Sequence, residues 1–251
     1  QIMAKFEIGD GNFDIEVGVD PDYEALEMKV GSYINAEGKV VRDAADAVGI
    51  VFKMEAIGDD VPANYPVALQ GKTIAGYAVA IENVVVGRQT LNNEAISSLV
   101  TTDATVTNGT QATEALLTGL GDVAFKTTYE KWVNEHLLDG ESLSSWYIPT
   151  LNQLGEFMGM LFKVGEVEPT GGQAFREMPE FAFENGVMFD RDPIESVYYA
   201  SCTVNGSKDV SGVIINVDKT TKQVLDAKAS SLKVTGSSQK ALCRPMITIF
   251  K

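Results

Sequence analysis

The sequence predicts an α+β fold. Strand-like segments occupy both ends of the 251-residue chain, helical spacing is confined to its middle, and residues 163–196 are crowded with Pro and Gly. Helices segregated from strands in this way pack on antiparallel sheets rather than between the strands of a wound parallel sheet.

The elements follow in order. Lys5–Ile8 and Phe13–Val17 alternate apolar with acidic residues across Asp10-Gly11, the pattern of a hairpin with one buried face. Asp20-Pro21-Asp22 breaks that run. Residues 1–29 therefore read as an N-terminal β appendage or the edge of a preceding domain, and residues 30–251 as one domain. Strands are expected at Gly31–Ile34, Gly38–Val41, Ala47–Phe52, Gly76–Ile81 and Val84–Val86, with a loop over Gly58–Pro66. A helical stretch begins at Glu114. Tyr129, Trp132, Val133 and Leu137 then share one helical face, with Gly140 as the stop. A further helix opens at Thr150, where Thr150 and Gln153 form a capping box; Leu151, Leu154, Met158 and Leu161 make its apolar stripe. After the loops of 163–196, strands return at Val197–Val204, Val210–Val217 and Leu242–Phe250, with a weaker Gln223–Val234 region.

Charge bounds the function. The chain carries a net −15, which argues against nucleic acid, because phosphate binding needs clustered Lys and Arg. Residues 1–60 hold 14 acids and 5 bases, residues 61–197 hold 18 and 7, and residues 198–251 hold 3 and 8. The basic last part has two readings: a solvated face of one sheet, or a landing surface for an acidic ligand such as a sulfated or uronic glycan. No apolar run reaches the roughly 20 residues of a membrane span. Gln1–Lys5 lacks the basic-then-apolar order of an export signal, and the expectation is a mature, processed, extracytoplasmic chain. Cys202 and Cys243 allow one disulfide or two buried free thiols; neither belongs to a C-x-x-C pair.

The segment Ser145-Trp146-Tyr147-Ile148-Pro149-Thr150-Leu151-Asn152-Gln153-Leu154 resembles the W-x-L-P-T/S-x-x-E/Q-L signature of a bacterial C-type-lectin-like group. That group includes Legionella collagen-like adhesin C-terminal domains and surface or fimbria-associated proteins of gut Bacteroidetes. Val30-Gly31-Ser32-Tyr33 with Gly38 and Val48–Phe52, then Tyr198–Thr203, then Arg244-Pro245-Met246 resemble its other landmarks in the right order, over residues 30–251. Tyr199 stands where that group has Trp, and Cys202 where it has a small polar residue. The resemblance implies a C-type-lectin-like fold, with Trp146 filling the junction of two helices and a sheet, and a surface-exposed binding or adhesion role. Its animal relatives carry Glu-Pro-Asn and Trp-Asn-Asp sugar and calcium motifs. Glu168-Pro169-Thr170 and Asn216-Val217-Asp218 depart from both, so calcium dependence is not expected.

Catalytic constellations are hard to assemble. His136 is the single histidine and sits at the margin of an apolar helical face, where a half-buried structural role is expected. Histidine-based zinc sites need more ligands than the chain supplies, and no phosphate-binding glycine loop occurs. Asp190, Asp192 and Glu195 cluster before the Tyr198 strand. Such a group either accepts sugar hydroxyls and cations or forms a solvated acidic loop. With Asn216 these three make the candidate ligand-binding set. The expectation is thus a non-enzyme without metal or cofactor, binding a glycan or protein ligand at a surface. Two further readings stand beside it: a structural or accessory subunit of a fimbria-like assembly, and a scaffold like the formylglycine-generating enzymes, whose chemistry would need Cys202 and Cys243.

Overall fold

The structure, a computed structural model, describes residues 2–9, 12–19, 26–87, 107–120, 124–164, 166–182, 189–191, 194–205, 209–221, 223–231 and 240–251. The fold is mixed α+β. β1 (Ile2–Gly9) and β2 (Asn12–Val19) form a two-stranded antiparallel sheet of their own. Its register sets Ile2 opposite Val19, Ala4 opposite Val17, Phe6 opposite Ile15 and Ile8 opposite Phe13. The rows between pair Lys5 with Glu16 and Glu7 with Asp14, so apolar and charged rows alternate as the sequence pattern requires.

Two larger sheets carry the rest. The first has the order β13-β6-β5-β3-β4, from β3 (Tyr33–Ile34), β4 (Val40–Val41), β5 (Gly49–Lys53), β6 (Ile74–Ala80) and β13 (Met246–Phe250). The second has the order β11-β10-β9-β12-β7, from β7 (Val84–Gly87), β9 (Ile194–Asn205), β10 (Asp209–Asp218), β11 (Val224–Ser231) and β12 (Lys240–Cys243), with β8 (Phe189–Arg191) paired to β9. The predicted run Leu242–Phe250 is therefore two strands in two sheets. Pro245 has no N–H to give a ladder, and its carbonyl instead accepts from Ala80 N at 2.9 Å, where the chain changes sheets.

Among the described residues the α-helices are α1 (Val67–Gln70), α2 (Gly109–Leu120), α3 (Ala124–Glu135), α4 (Leu151–Leu161) and α5 (Gln173–Arg176). Two apolar clusters fill the space between them and the sheets. One gathers Leu116, Phe125, Trp132, Trp146, Tyr198, Cys202 and Ile247 around α2 and α3. The other gathers Phe52, Tyr77, Leu154, Phe157, Tyr199 and Met246 around α4. Alternate residues of β9 enter alternate clusters, so this strand is covered on both faces.

Local chemistry fixes the helix ends. At α4, Thr150 Oγ1 accepts from Gln153 N at 3.3 Å and Gln153 Oε1 accepts from Thr150 N at 3.1 Å, which closes the capping box. α3 stops at Glu135, before the expected Leu137, which is 70 % exposed. His136 turns back there: its ring stacks on Trp132 at 4.3 Å, and its carbonyl accepts the Trp146 indole N–H at 2.8 Å. Gly140 serves close packing instead of the helix stop, since a Cβ there would meet the Glu37 carbonyl at 2.8 Å. Among the described residues no helix is long and apolar enough to cross a membrane.

Candidate functional site

The end of β5 and one side of α4 enclose a groove of about 350 Å³. β5 and the residues after it supply Phe52, Lys53, Met54 and Glu55; α4 supplies Glu156 and Met160. Val30 and Thr170 complete the rim. Phe52 is the floor: it is buried and meets Phe157 of α4 edge-on at 5.4 Å. Val30 and Met54 keep about two fifths of their surface exposed, at 39 % and 41 %. The Thr170 wall is tied to α4 by Thr170 N donating to Gly159 O and Gly171 N to Met160 O, each at 3.1 Å.

An ion pair spans the mouth. Lys53 Nζ lies 2.8 Å from Glu156 Oε2 and 3.6 Å from Glu55 Oε1. The hydrogen bond to Glu156 raises the Lys53 pKa further, against the opposing effect of burial. Lys53 therefore stays charged at neutral pH, and the site offers fixed charge and aliphatic surface together. Its groups can bind and orient a ligand.

The four residues singled out in the sequence lie elsewhere, on the second sheet. Asp190 in β8 pairs with Glu195 in β9, and Glu195 pairs with Val217 in β10. Asp192 lies outside the described residues. Asn216 occupies the neighbouring register row, opposite Ser196 and Asp226. Its amide links three strands: Oδ1 accepts from Ser196 Oγ at 2.6 Å, and Nδ2 donates to Asp226 Oδ1. Asn216 thus acts as a cross-strand tie, while Asp190 and Glu195 are brought together by register. Among the described residues no group of three His, Cys, Asp or Glu is placed to hold a metal ion.

No family model, curated protein or solved structure matches the chain.

Other polar groups of note are internal. Asp60 is buried; its Oδ2 accepts from Tyr65 Oη at 2.5 Å and Tyr77 Oη at 2.7 Å, and its Oδ1 from Asn64 Nδ2 at 2.9 Å. Tyr65 Oη, already donating to Asp60, accepts from Thr248 Oγ1 at 2.7 Å, and Thr248 accepts from Tyr147 Oη at 3.0 Å. Burial raises the Asp60 carboxyl above its usual value, against the lowering effect of these donors. His136 Nδ1 contacts Trp132 O at 2.8 Å, and its Nε2 lies 3.3 Å from Glu82 Oε1, which also accepts the Trp132 indole N–H at 2.6 Å. Both cysteines are free and buried; burial pushes the Cys202 thiol up to about 12 and raises Cys243 as well. Thiols held protonated in this way are poor nucleophiles.

The groove was not legible in the sequence. Its lining comes from separate segments around residues 30, 52–55, 156–160 and 170, and none of them carries a motif. Only the Thr170 wall belongs to the Pro- and Gly-rich loop region of residues 163–196.

Proposed function

We propose that this chain is a non-catalytic, extracytoplasmic binding module with C-type-lectin-like architecture, acting at a cell surface or in secreted form. The groove between Lys53 and Glu156 carries this reading. Its volume lies within the range of about 300–1,000 Å³ typical of ligand pockets, and it combines apolar walls with a few fixed charges. Of the two ligand classes considered, a protein segment suits the lining better than a sugar. Sugars favour an open aromatic face, whereas Phe52 is buried and the exposed walls are the aliphatic Val30 and Met54. Unbranched Met side chains adapt to varied apolar partners.

A panel of host matrix proteins and a glycan array, probed with the wild type and Met54→Asp, test this. Micromolar binding to a member of the protein panel, weakened at least about tenfold by the variant, is the expected result. Silence across both panels, or a variant that binds as well as the wild type, would refute the groove as the site.

A second reading, a subunit or accessory of a fimbria-like assembly, is favoured by the β1–β2 hairpin. Two-stranded sheets are marginal alone, and the apolar rows from Ile2–Val19 to Ile8–Phe13 are suited to pairing with another surface. Deleting residues 1–25 then abolishes assembly while leaving the two larger sheets folded. A remainder that unfolds removes the support for this reading.

A further inference from the structure

β11 is the outermost strand of the second sheet, and among the described residues nothing pairs with its outer edge. An open strand edge is a template for another strand, and proteins usually blunt it with Pro, a short length or unpaired charge. This edge runs eight residues, Val224-Leu225-Asp226-Ala227-Lys228-Ala229-Ser230-Ser231, without Pro. Its two charges neutralise each other, with Lys228 Nζ at 3.5 Å from Asp226 Oδ2. Both stay accessible, with side chains 61 % and 45 % exposed, and Leu225 is exposed beside them. Asp226 is also held in place from behind by the Asn216 amide.

We propose that β11 pairs antiparallel with β11 of a second copy of this chain, about a twofold axis at Ala227. The charge order selects that register. Centred on Ala227, Asp226 of each copy faces Lys228 of the other, and Leu225 faces Ala229. Centred one residue either way, Asp226 would face Asp226 or Lys228 would face Lys228, and like charges directly opposite destabilise a pair. A twofold contact of this kind is self-complementary and closes on itself as a dimer. β11 itself carries one acid and one base, so the strand adds no net charge to a contact between two copies of a chain whose net charge is −15.

Sedimentation velocity on the full chain, from about 10 to several hundred micromolar, reads the association directly. The wild type forms a concentration-dependent dimer. Lys228→Glu places two like-charge contacts across the axis and weakens dimerisation by about tenfold or more. The double variant Asp226→Lys/Lys228→Glu restores opposite charges and recovers it. Hydrogen exchange adds a readout independent of the variants, since β11 amides become more protected as wild-type concentration rises. A wild type that stays monomeric throughout, a Lys228→Glu variant that dimerises unchanged, or an association lost on deleting residues 1–25 would each overturn the proposal.

Discussion

Trp146 donates its indole N–H to the backbone carbonyl of His136 at 2.8 Å, across ten residues of sequence. That bond joins the end of α3 to the segment that leads into α4. The Trp146 ring also meets Trp132 edge-on at 5.2 Å within the first core. Trp146→Ala removes both contacts and leaves a cavity, with an expected loss of roughly 3–5 kcal/mol. Trp146→Phe keeps most of the packing and loses the hydrogen bond, for about 1–2 kcal/mol. Urea unfolding of the two variants separates these contributions; a Trp146→Phe variant as stable as the wild type would show that the indole N–H adds nothing.

Asp60 gives a pH dependence of unusual sign. Burial holds its carboxyl above the unfolded value, so folding favours its protonated form. The stability from that group is greatest below the unfolded pKa and declines as pH rises through the folded one. The wild type is therefore expected to gain stability relative to Asp60→Asn as pH falls from neutral. The comparison isolates Asp60 from the other carboxylates, which both proteins share. An opposite slope would mean that the tyrosine donors, and not burial, dominate.

Cys202 and Cys243 should react with maleimide only after unfolding. The parallel pairing of Leu242 with Tyr199 brings Cys243 beside Ala200, short of Cys202, and both thiols are buried. Intact-mass measurement is expected to show no label on the native chain and two labels per chain in denaturant. Rapid native labelling, or a mass two protons lighter, would contradict this placement.

Gly76→Ala tests the backbone beneath the groove. A Cβ at Gly76 would run into the Lys53 carbonyl, at the irregular pairing of β5 with β6. The expected loss is roughly 1–3 kcal/mol. The strain falls on the residue that carries the ion pair at the groove mouth, so any ligand held there should weaken with it. Thermal unfolding that matches the wild type would show that the two strands move apart freely.

What the sequence revealed was local. The Thr150–Gln153 cap and the stripe of Leu154, Met158 and Leu161 are physics of adjacent turns, and both appear in the structure. The strands expected at Ala47–Phe52 and Val197–Val204 followed from run length and residue type, and they stand in the structure at Gly49–Lys53 and Ile194–Asn205. What failed depended on distant partners. Leu137 fits the helical spacing of Tyr129 and Trp132, yet the ring stack and the Trp146 contact end the helix first. Asp60 belongs to the predicted loop over Gly58–Pro66; two of its donors, Asn64 and Tyr65, are local, but Tyr77 lies in β6 and Thr248, which supports Tyr65, lies in β13, and only folding brings these to it. The groove was hidden for the same reason: Lys53 and Glu156 are 103 residues apart and meet only after folding.

The crossing at Pro245 bears on how the chain is made. β12 pairs with β7 and β9 in one sheet, and β13 pairs with β6 in the other. A polypeptide emerging from the ribosome can complete neither sheet until residues 240–250 are free. Native structure in the main body is therefore completed only once that segment is available. A premature stop before Lys240 would leave material for proteolysis in place of a shortened domain.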